Sequence, residues 1–175
     1  MSSPDPQSVP TLVLTVSDRS AAGTREDTSG ARLVELLTKE GYAVNAPVVI
    51  PDGRDSVRDA LRIAVRDGIR LVLSTGGTGI APRDFTPEGT RDVVTRELDG
   101  VAEYLRRHGE QYTVLSYLSR GVVGVVDPGA DAAPGAIGTL VINLPGSPKA
   151  MDQSMEVLAP LLPHLLAMVV GWDDH

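Results

Sequence analysis

The chain has 175 residues, 42% of them hydrophobic, and this length suits one domain with a sizeable core packed by Val, Leu and Ile, since only six residues are aromatic. Its 23 acidic against 16 basic side chains give a net charge of −7, which argues against nucleic-acid binding as a main role. The absence of cysteine excludes disulfides, thiolate catalysis and Cys-ligated metal centres, and agrees with a cytoplasmic setting.

Residues 1–10 are rich in Ser and Pro and lack a basic stretch followed by an apolar one. They read as a disordered lead and not as a signal peptide. Residues 11–170 read as a single domain. "TLVLTVS" (11–17) is an apolar run suited to a buried parallel strand. "GARLVELLTKEG" then places Leu33, Leu36 and Leu37 on one helical face, with Gly41 as the stop. "AVNAPVVI" (43–50) reads as a second strand, although Pro47 argues against a central position for part of it.

"DSVRDALRIAVRDG" is an amphipathic helix with Val57, Leu61, Ala64 and Val65 on one face, closed by Gly68. "IRLVLST" (69–75) is the third strand. Thr86, Pro87 and Glu88 supply an N-cap, a first-turn proline and a first-turn acid for a helix expected to reach about Leu98. A further helix is expected near 101–118. "GVVGVV" (121–126) and "GTLVINLPG" (138–146) read as two late strands with a hairpin-like connection.

A last helix opens with Ser147 as N-cap and Pro148 in first place, and Pro160 and Pro163 are expected to kink or segment it. Its apolar stretch is too short to span a bilayer comfortably, so no membrane partner is expected. The alternation of strands and helices argues for an α/β fold with a mostly parallel sheet and helices on both faces.

In such folds ligands bind beyond the carboxyl ends of the strands. Four polar or Gly-rich segments fall there: "SDRSAAG", "PDGRD", "TGGTGIAPRD" and "LPGSPK". Consecutive glycines in "TGGTG" can take positive φ and surround an anion with N–H groups, with the Thr75 and Thr78 hydroxyls as further donors. The segment is neither a Walker A loop nor a dinucleotide fingerprint, since Pro82 stands at the third glycine position.

Asp84 suits a Mg²⁺ ligand against phosphate oxygens, but equally an exposed loop acid or a second helix cap. Arg83 divides in the same way between phosphate contact and a surface ion pair, and Glu88 complements a helix dipole. Asp52, just after a strand, suits a second metal-binding or catalytic carboxylate from the neighbouring strand end, but also a Pro-Asp-Gly turn, and the turn is the favoured reading. "LPGSPK" offers a helix N-terminus for an anion, with Ser147 and Lys149 nearby. Capping accounts for at least one acid of the first loop, and Arg120 reads by default as a surface residue. His108, His164 and His175 show no metal-ligand spacing.

Together and in this order, "TVSDRSAAGTREDTSG", "LVLSTGGTGIAPRDFTPEGT", "LSRG" and "INLPGSPKA" resemble the MogA and MoaB family of molybdenum-cofactor biosynthesis proteins, related also to a gephyrin domain. The likeness runs from about Leu12 to Leu166. It implies a three-layer α/β/α fold, a homotrimer, and binding of molybdopterin, a pterin with a dithiolene and a terminal phosphate. MogA-like members use Mg²⁺ and ATP to transfer AMP onto that phosphate, and pass the product to a MoeA-like molybdenum-insertion protein.

By the same resemblance Thr75, Gly76, Gly77, Thr78 and Gly79 line the nucleotide and phosphate site, and Asp52 and Asp84 act in metal binding and catalysis. Ser17, Asp18, Asp27, Ser119, Arg120, Pro145, Gly146, Ser147 and Lys149 fall on the pterin side. One departure stands out: many adenylylating relatives carry an acid where this chain has Gly53. Two other functions are compatible with the motifs, a pterin-binding carrier without transfer activity and a hydrolase of a nucleotide derivative.

Overall fold

The computed structural model describes residues 4–130 and 135–170. Six strands, β1 (Thr11–Val16), β2 (Val48–Ile50), β3 (Leu71–Thr75), β4 (Arg96–Glu97), β5 (Val123–Val126) and β6 (Thr139–Leu144), form one sheet in the order β2-β1-β3-β6-β5-β4. The pairings β1–β2, β1–β3 and β3–β6 are parallel, whereas β5 runs antiparallel to both β6 and β4. The helices are α1 (Asp18–Ala21), α2 (Thr28–Lys39), α3 (Arg54–Arg66), α4 (Thr86–Arg91), α5 (Asp99–Glu110) and α6 (Pro148–Val169).

Alternation along the strands divides the core in two. Val13, Leu71, Leu73, Leu140 and Ile142 face one side, where Leu33 and Leu37 of α2 and Leu158 and Leu162 of α6 cover them. Leu14, Val72 and Val141 face the other, under Val57, Leu61 and Ala64 of α3. Each central strand therefore feeds both cores through successive residues, which is why these segments are apolar without a break. The result is the expected three-layer α/β/α arrangement with a mostly parallel sheet.

Several boundaries differ from the sequence expectation. The lead is not structureless: Pro6–Ser8 form a 3-10 turn, with Gln7 N–H donating to the Asp5 carboxylate, and Val9 enters the core. Burial of Val9 beside Leu37 and Tyr42 supplies what Ser/Pro composition does not reveal. The second strand shrinks to Val48–Ile50; Val44 makes only a single bridge to Thr11 across Pro47.

The helix from Thr86 stops at Arg91, because the chain must extend at Arg96–Glu97 to pair with β5. Residues 101–118 divide into α5 and a 3-10 turn, Val114–Leu118. By contrast α6 runs unbroken through Pro160 and Pro163. Leu158, Leu162 and Leu166 keep their i, i+4 stripe buried throughout, while Pro160 lies on the exposed face where a lost backbone bond meets water. No helix among the described residues is long and apolar enough to cross a membrane.

Candidate functional site

The chain leaves the carboxyl end of β3 through residues 76–79. Gly76 and Gly77 hold φ at +101° and +63°, conformations that L side chains rarely adopt. Space excludes a side chain as well. A Cβ on Gly76 would lie 2.3 Å from the Val16 carbonyl oxygen, and one on Gly77 2.3 Å from Thr86 Oγ1.

All four carbonyls of this loop are tied into the scaffold. The Gly76 oxygen accepts from Thr86 Oγ1 at 2.9 Å and the Gly77 oxygen from the Thr86 N–H at 3.1 Å. The Thr78 oxygen accepts from the Arg120 backbone N–H at 2.8 Å, and the Gly79 oxygen from Arg120 Nε at 2.7 Å. The peptide N–H groups of Gly77, Thr78 and Gly79 donate to no protein acceptor among the described residues. Successive free donors held in place by bonded carbonyls make an anion-binding concavity.

Two side chains make contacts here that the sequence did not suggest. Thr86 is the first helical residue and not the cap; Phe85 takes the cap position without a side-chain bond, and the Thr86 hydroxyl secures the loop. Arg120 is a latch. Besides Gly79 its guanidinium reaches the Asp84 carbonyl at 2.5 Å and pairs with the Glu88 carboxylate. Burial pushes the Glu88 carboxyl up, but the Arg120 hydrogen bond and charge, with a backbone hydrogen bond, outweigh it and hold Glu88 below the ordinary glutamate range.

Two adjoining hollows flank the loop. The larger, about 460 Å³, is lined by Gly77, Thr78, Gly79, Asp84, Ser119, Pro145, Gly146 and Ser147. Its opposite wall comes from α5, the Val114–Leu118 turn and the start of α6, including Leu105, Arg106 and Leu118. Ser147 caps α6 by accepting from the Ala150 N–H at 3.2 Å. Asn143, a lining residue only 3% exposed, donates to Ser74 Oγ at 2.9 Å and Thr90 Oγ1 at 3.0 Å, and accepts from the Val122 N–H at 3.1 Å.

The second hollow, about 350 Å³, lies over the ends of β1 and β2 and is lined by Ser17, Asp18, Asp27, Asp52, Thr75, Gly76 and Gly146. Asp18 and Asp52 bond reciprocally: the Asp18 N–H donates to Asp52 Oδ2 at 2.9 Å, and the Asp52 N–H to Asp18 Oδ1 at 3.1 Å. The other Asp18 oxygen pairs with Arg83. Asp27 caps α2 through the Gly30 N–H at 2.9 Å and accepts from Thr15 Oγ1 at 2.6 Å. The Thr75 hydroxyl is fully buried and donates to the Pro145 carbonyl at 2.8 Å.

The residues singled out by the family resemblance divide between the two hollows. Gly77–Gly79 share a hollow with Ser119 and Pro145–Ser147, whereas Asp52 shares one with Ser17, Asp18 and Asp27. Asp52 and Asp84 line different hollows, and no group of three or more His, Asp or Glu gathers for a metal among the described residues. Arg120 and Lys149 line neither hollow.

Sequence reading missed Arg106 and Asn143. The signal for Arg106 was its place four residues after Ala102, on the stripe of α5 that faces the core; Asn143 was a lone polar residue in an apolar strand.

Residues 12–164 match the family model described as a probable molybdopterin binding domain. A molybdopterin adenylyltransferase from Helicobacter pylori strain J99 is 34% identical over 166 residues, covering 91% of this chain and 86% of that protein. A molybdenum cofactor biosynthesis bifunctional protein from Synechococcus elongatus is 37% identical over 161 residues, covering 92% of this chain and 47% of that protein. The chain spans about half the length of that relative and of a similarly named one from Chlorobaculum tepidum.

Among solved structures, one of MogA superposes with a TM-score of 0.81 at 38% identity, covering 91% of this chain and 98% of that one. MoaB from Thermus thermophilus superposes at 0.79 with 42% identity, covering 93% and 98%. By the family match over nearly its whole described length, and by these relatives, the chain belongs to the molybdopterin-binding family that includes MogA and MoaB.

Proposed function

We propose that the protein is a molybdopterin adenylyltransferase, which transfers AMP from ATP to the terminal phosphate of molybdopterin in molybdenum cofactor biosynthesis. The observation that carries this reading is the row of unbonded N–H groups at Gly77–Gly79 in the wall of the larger hollow, which adjoins the second hollow at Gly146. An adenylyl transfer needs two anionic ligands brought together, and Gly146 lines both hollows with only backbone between them.

The reaction joins a pterin phosphate oxygen to the α-phosphorus of ATP and breaks the bond from that phosphorus to the β-bridging oxygen, releasing pyrophosphate. The attacking phosphate is already anionic, so no strong general base is needed. What remains is to align the two ligands and offset their charge, which the loop amides do without reorganising. Thr75 and Gly76 shape the nucleotide side, and Ser119 and Pro145–Ser147 the pterin side.

Each hollow offers a carboxylate that would hold a Mg²⁺ ion, Asp84 in the larger and Asp52 in the second. Asp52 and Asp84 each engage one carboxylate oxygen, Asp52 with the Asp18 N–H and Asp84 with the Ala81 N–H at 2.8 Å. Each keeps the other oxygen for a cation completed by phosphate oxygens, the usual surroundings of Mg²⁺. When bound, the ion neutralises charge on the leaving pyrophosphate.

In the same reading the protein works as a cytoplasmic homotrimer and delivers its product to a MoeA-like insertion protein. The occurrence of the matching domain inside longer bifunctional cofactor-biosynthesis proteins supports such a handover. Incubation with molybdopterin, ATP and Mg²⁺ tests the proposal by the appearance of adenylylated pterin and pyrophosphate. Asp52→Ala and Asp84→Ala are expected to abolish transfer while retaining pterin binding. Transfer at the parent rate by both variants would show that the carboxylates are not catalytic.

A further inference from the structure

The larger hollow has two basic side chains in its wall, Arg106 and His108, and a single carboxylate, Asp84. His108 is engaged: its Nε2 faces the Glu156 carboxylate at 2.7 Å, and the Gln111 amide approaches the ring from the other side. Arg106 forms no ion pair among the described residues. Its one side-chain bond among the described residues runs from NH1 to the Gly121 carbonyl at 3.5 Å, longer than an ordinary N–H···O hydrogen bond.

Its position is also particular. Ala102, Arg106, Ser119 and Gly121 line both the larger hollow and a third, about 300 Å³, beside it. In that third hollow Arg91 is occupied by Glu97 at 3.1 Å, and Arg120 by Glu88. The chain segment 119–121 therefore stands between two features: on one side Arg120 N–H bonds to the Thr78 carbonyl, on the other Arg106 touches Gly121. The free amides of Gly77–Gly79, Ser119 and Arg106 nevertheless line one and the same hollow, so an anion bound there is within the same cavity as the guanidinium.

A partly buried guanidinium on the core-facing stripe of a helix loses hydration and gains nothing from its 3.5 Å contact. Its planar fork suits a phosphate better than any other group present. We infer that Arg106 holds the phosphate of the ligand in the larger hollow, on the pterin side where the family resemblance placed Arg120. The inference rests on the functional reading above in that it takes the ligand to be a phosphorylated pterin.

The test compares wild type, Arg106→Gln and Arg106→Lys in equilibrium binding of molybdopterin, with inorganic phosphate as a second probe. Arg106→Gln is expected to weaken both by about tenfold to a hundredfold, as loss of a charged hydrogen bond does. Arg106→Lys restores part of the loss because it keeps the charge without the fork. The melting temperature of Arg106→Gln should stay close to that of wild type, which separates a ligand contact from a structural one.

If wild type binds molybdopterin and Arg106→Gln binds it equally well, the inference is wrong while the functional reading stands. If wild type binds no molybdopterin, the functional reading fails; phosphate then decides, and equal phosphate binding by both proteins ends the anion-site inference too.

Discussion

Removal of the Arg120 side chain should loosen the glycine loop before it affects any ligand directly. Arg120→Ala deletes bonds to the Gly79 carbonyl at 2.7 Å and the Asp84 carbonyl at 2.5 Å, together with the pair to Glu88. A hydrogen bond from a charged donor contributes ~1.5–3 kcal/mol when well buried. The side chains of Arg120 and Glu88 are 37% and 30% exposed, so solvent screening reduces each contribution.

About 1 kcal/mol for each carbonyl and less for the ion pair gives a loss of about 2–3 kcal/mol. At ~2–4 °C per kcal/mol for a chain of this size, the melting temperature should fall by about 4–12 °C. Thermal unfolding followed by circular dichroism measures the loss, and hydrogen exchange localises it to residues 78–85. Arg120→Lys should recover less than half of it, because an ammonium cannot span both carbonyls and a carboxylate. Unchanged melting and exchange together with weaker pterin binding would refute the latch and return Arg120 to the ligand.

Three further outcomes follow from the same geometry. Gly77→Ala places a β-carbon 2.3 Å from Thr86 Oγ1 at a φ of +63° and should destabilise by ~2–3 kcal/mol in urea unfolding; adding Thr86→Ala relieves the clash but not the backbone strain, so recovery is partial. Asn143→Ala leaves Ser74 Oγ, Thr90 Oγ1 and the Val122 N–H without their partner in the interior, and the same assay should register a loss of ~3 kcal/mol or more. The lowered pKa of Glu88 makes its contribution fully present above the ordinary glutamate value of 4.5 and lost as pH falls through the lower value of the folded state. Stability curves of wild type and Glu88→Gln should therefore converge in acid below pH 4.5 and separate above it.

The fold class was legible because its evidence is local and redundant: β1, β3 and β6 are unbroken apolar runs, and α2 and α3 have one apolar face each. Failures occurred where a distant partner decides the local state. Nothing near Arg96 announces a strand; its pairing with Val125 does. Pro160 and Pro163 look like helix breakers until the buried stripe of α6 is known. Arg120 and Arg106 show the same limit at the site. Each is an arginine near a plausible anion, and only their partners, Gly79, Asp84 and Glu88 for one and a single weak contact for the other, separate latch from candidate ligand.

Glycine supplies the remaining link between sequence and site, through what it omits. Gly76 is held against β1, where a Cβ would meet the Val16 carbonyl oxygen, and Gly146 approaches it so closely that a Cβ there would lie 3.3 Å from the Gly76 Cα. Gly146 lines both hollows and Gly76 the second, so side chains at these two positions would crowd the place where the hollows adjoin. Gly53 bears on the same question from the second hollow. Its φ of +134° lets the chain turn from Asp52 directly into α3, and the Ser56 hydroxyl closes that turn on the Gly53 carbonyl at 2.9 Å. An acid at this position would strain the backbone that presents Asp52. The turn at Gly53 holds Asp52 from one side, and the reciprocal bonds between Asp18 and Asp52 hold it from the other.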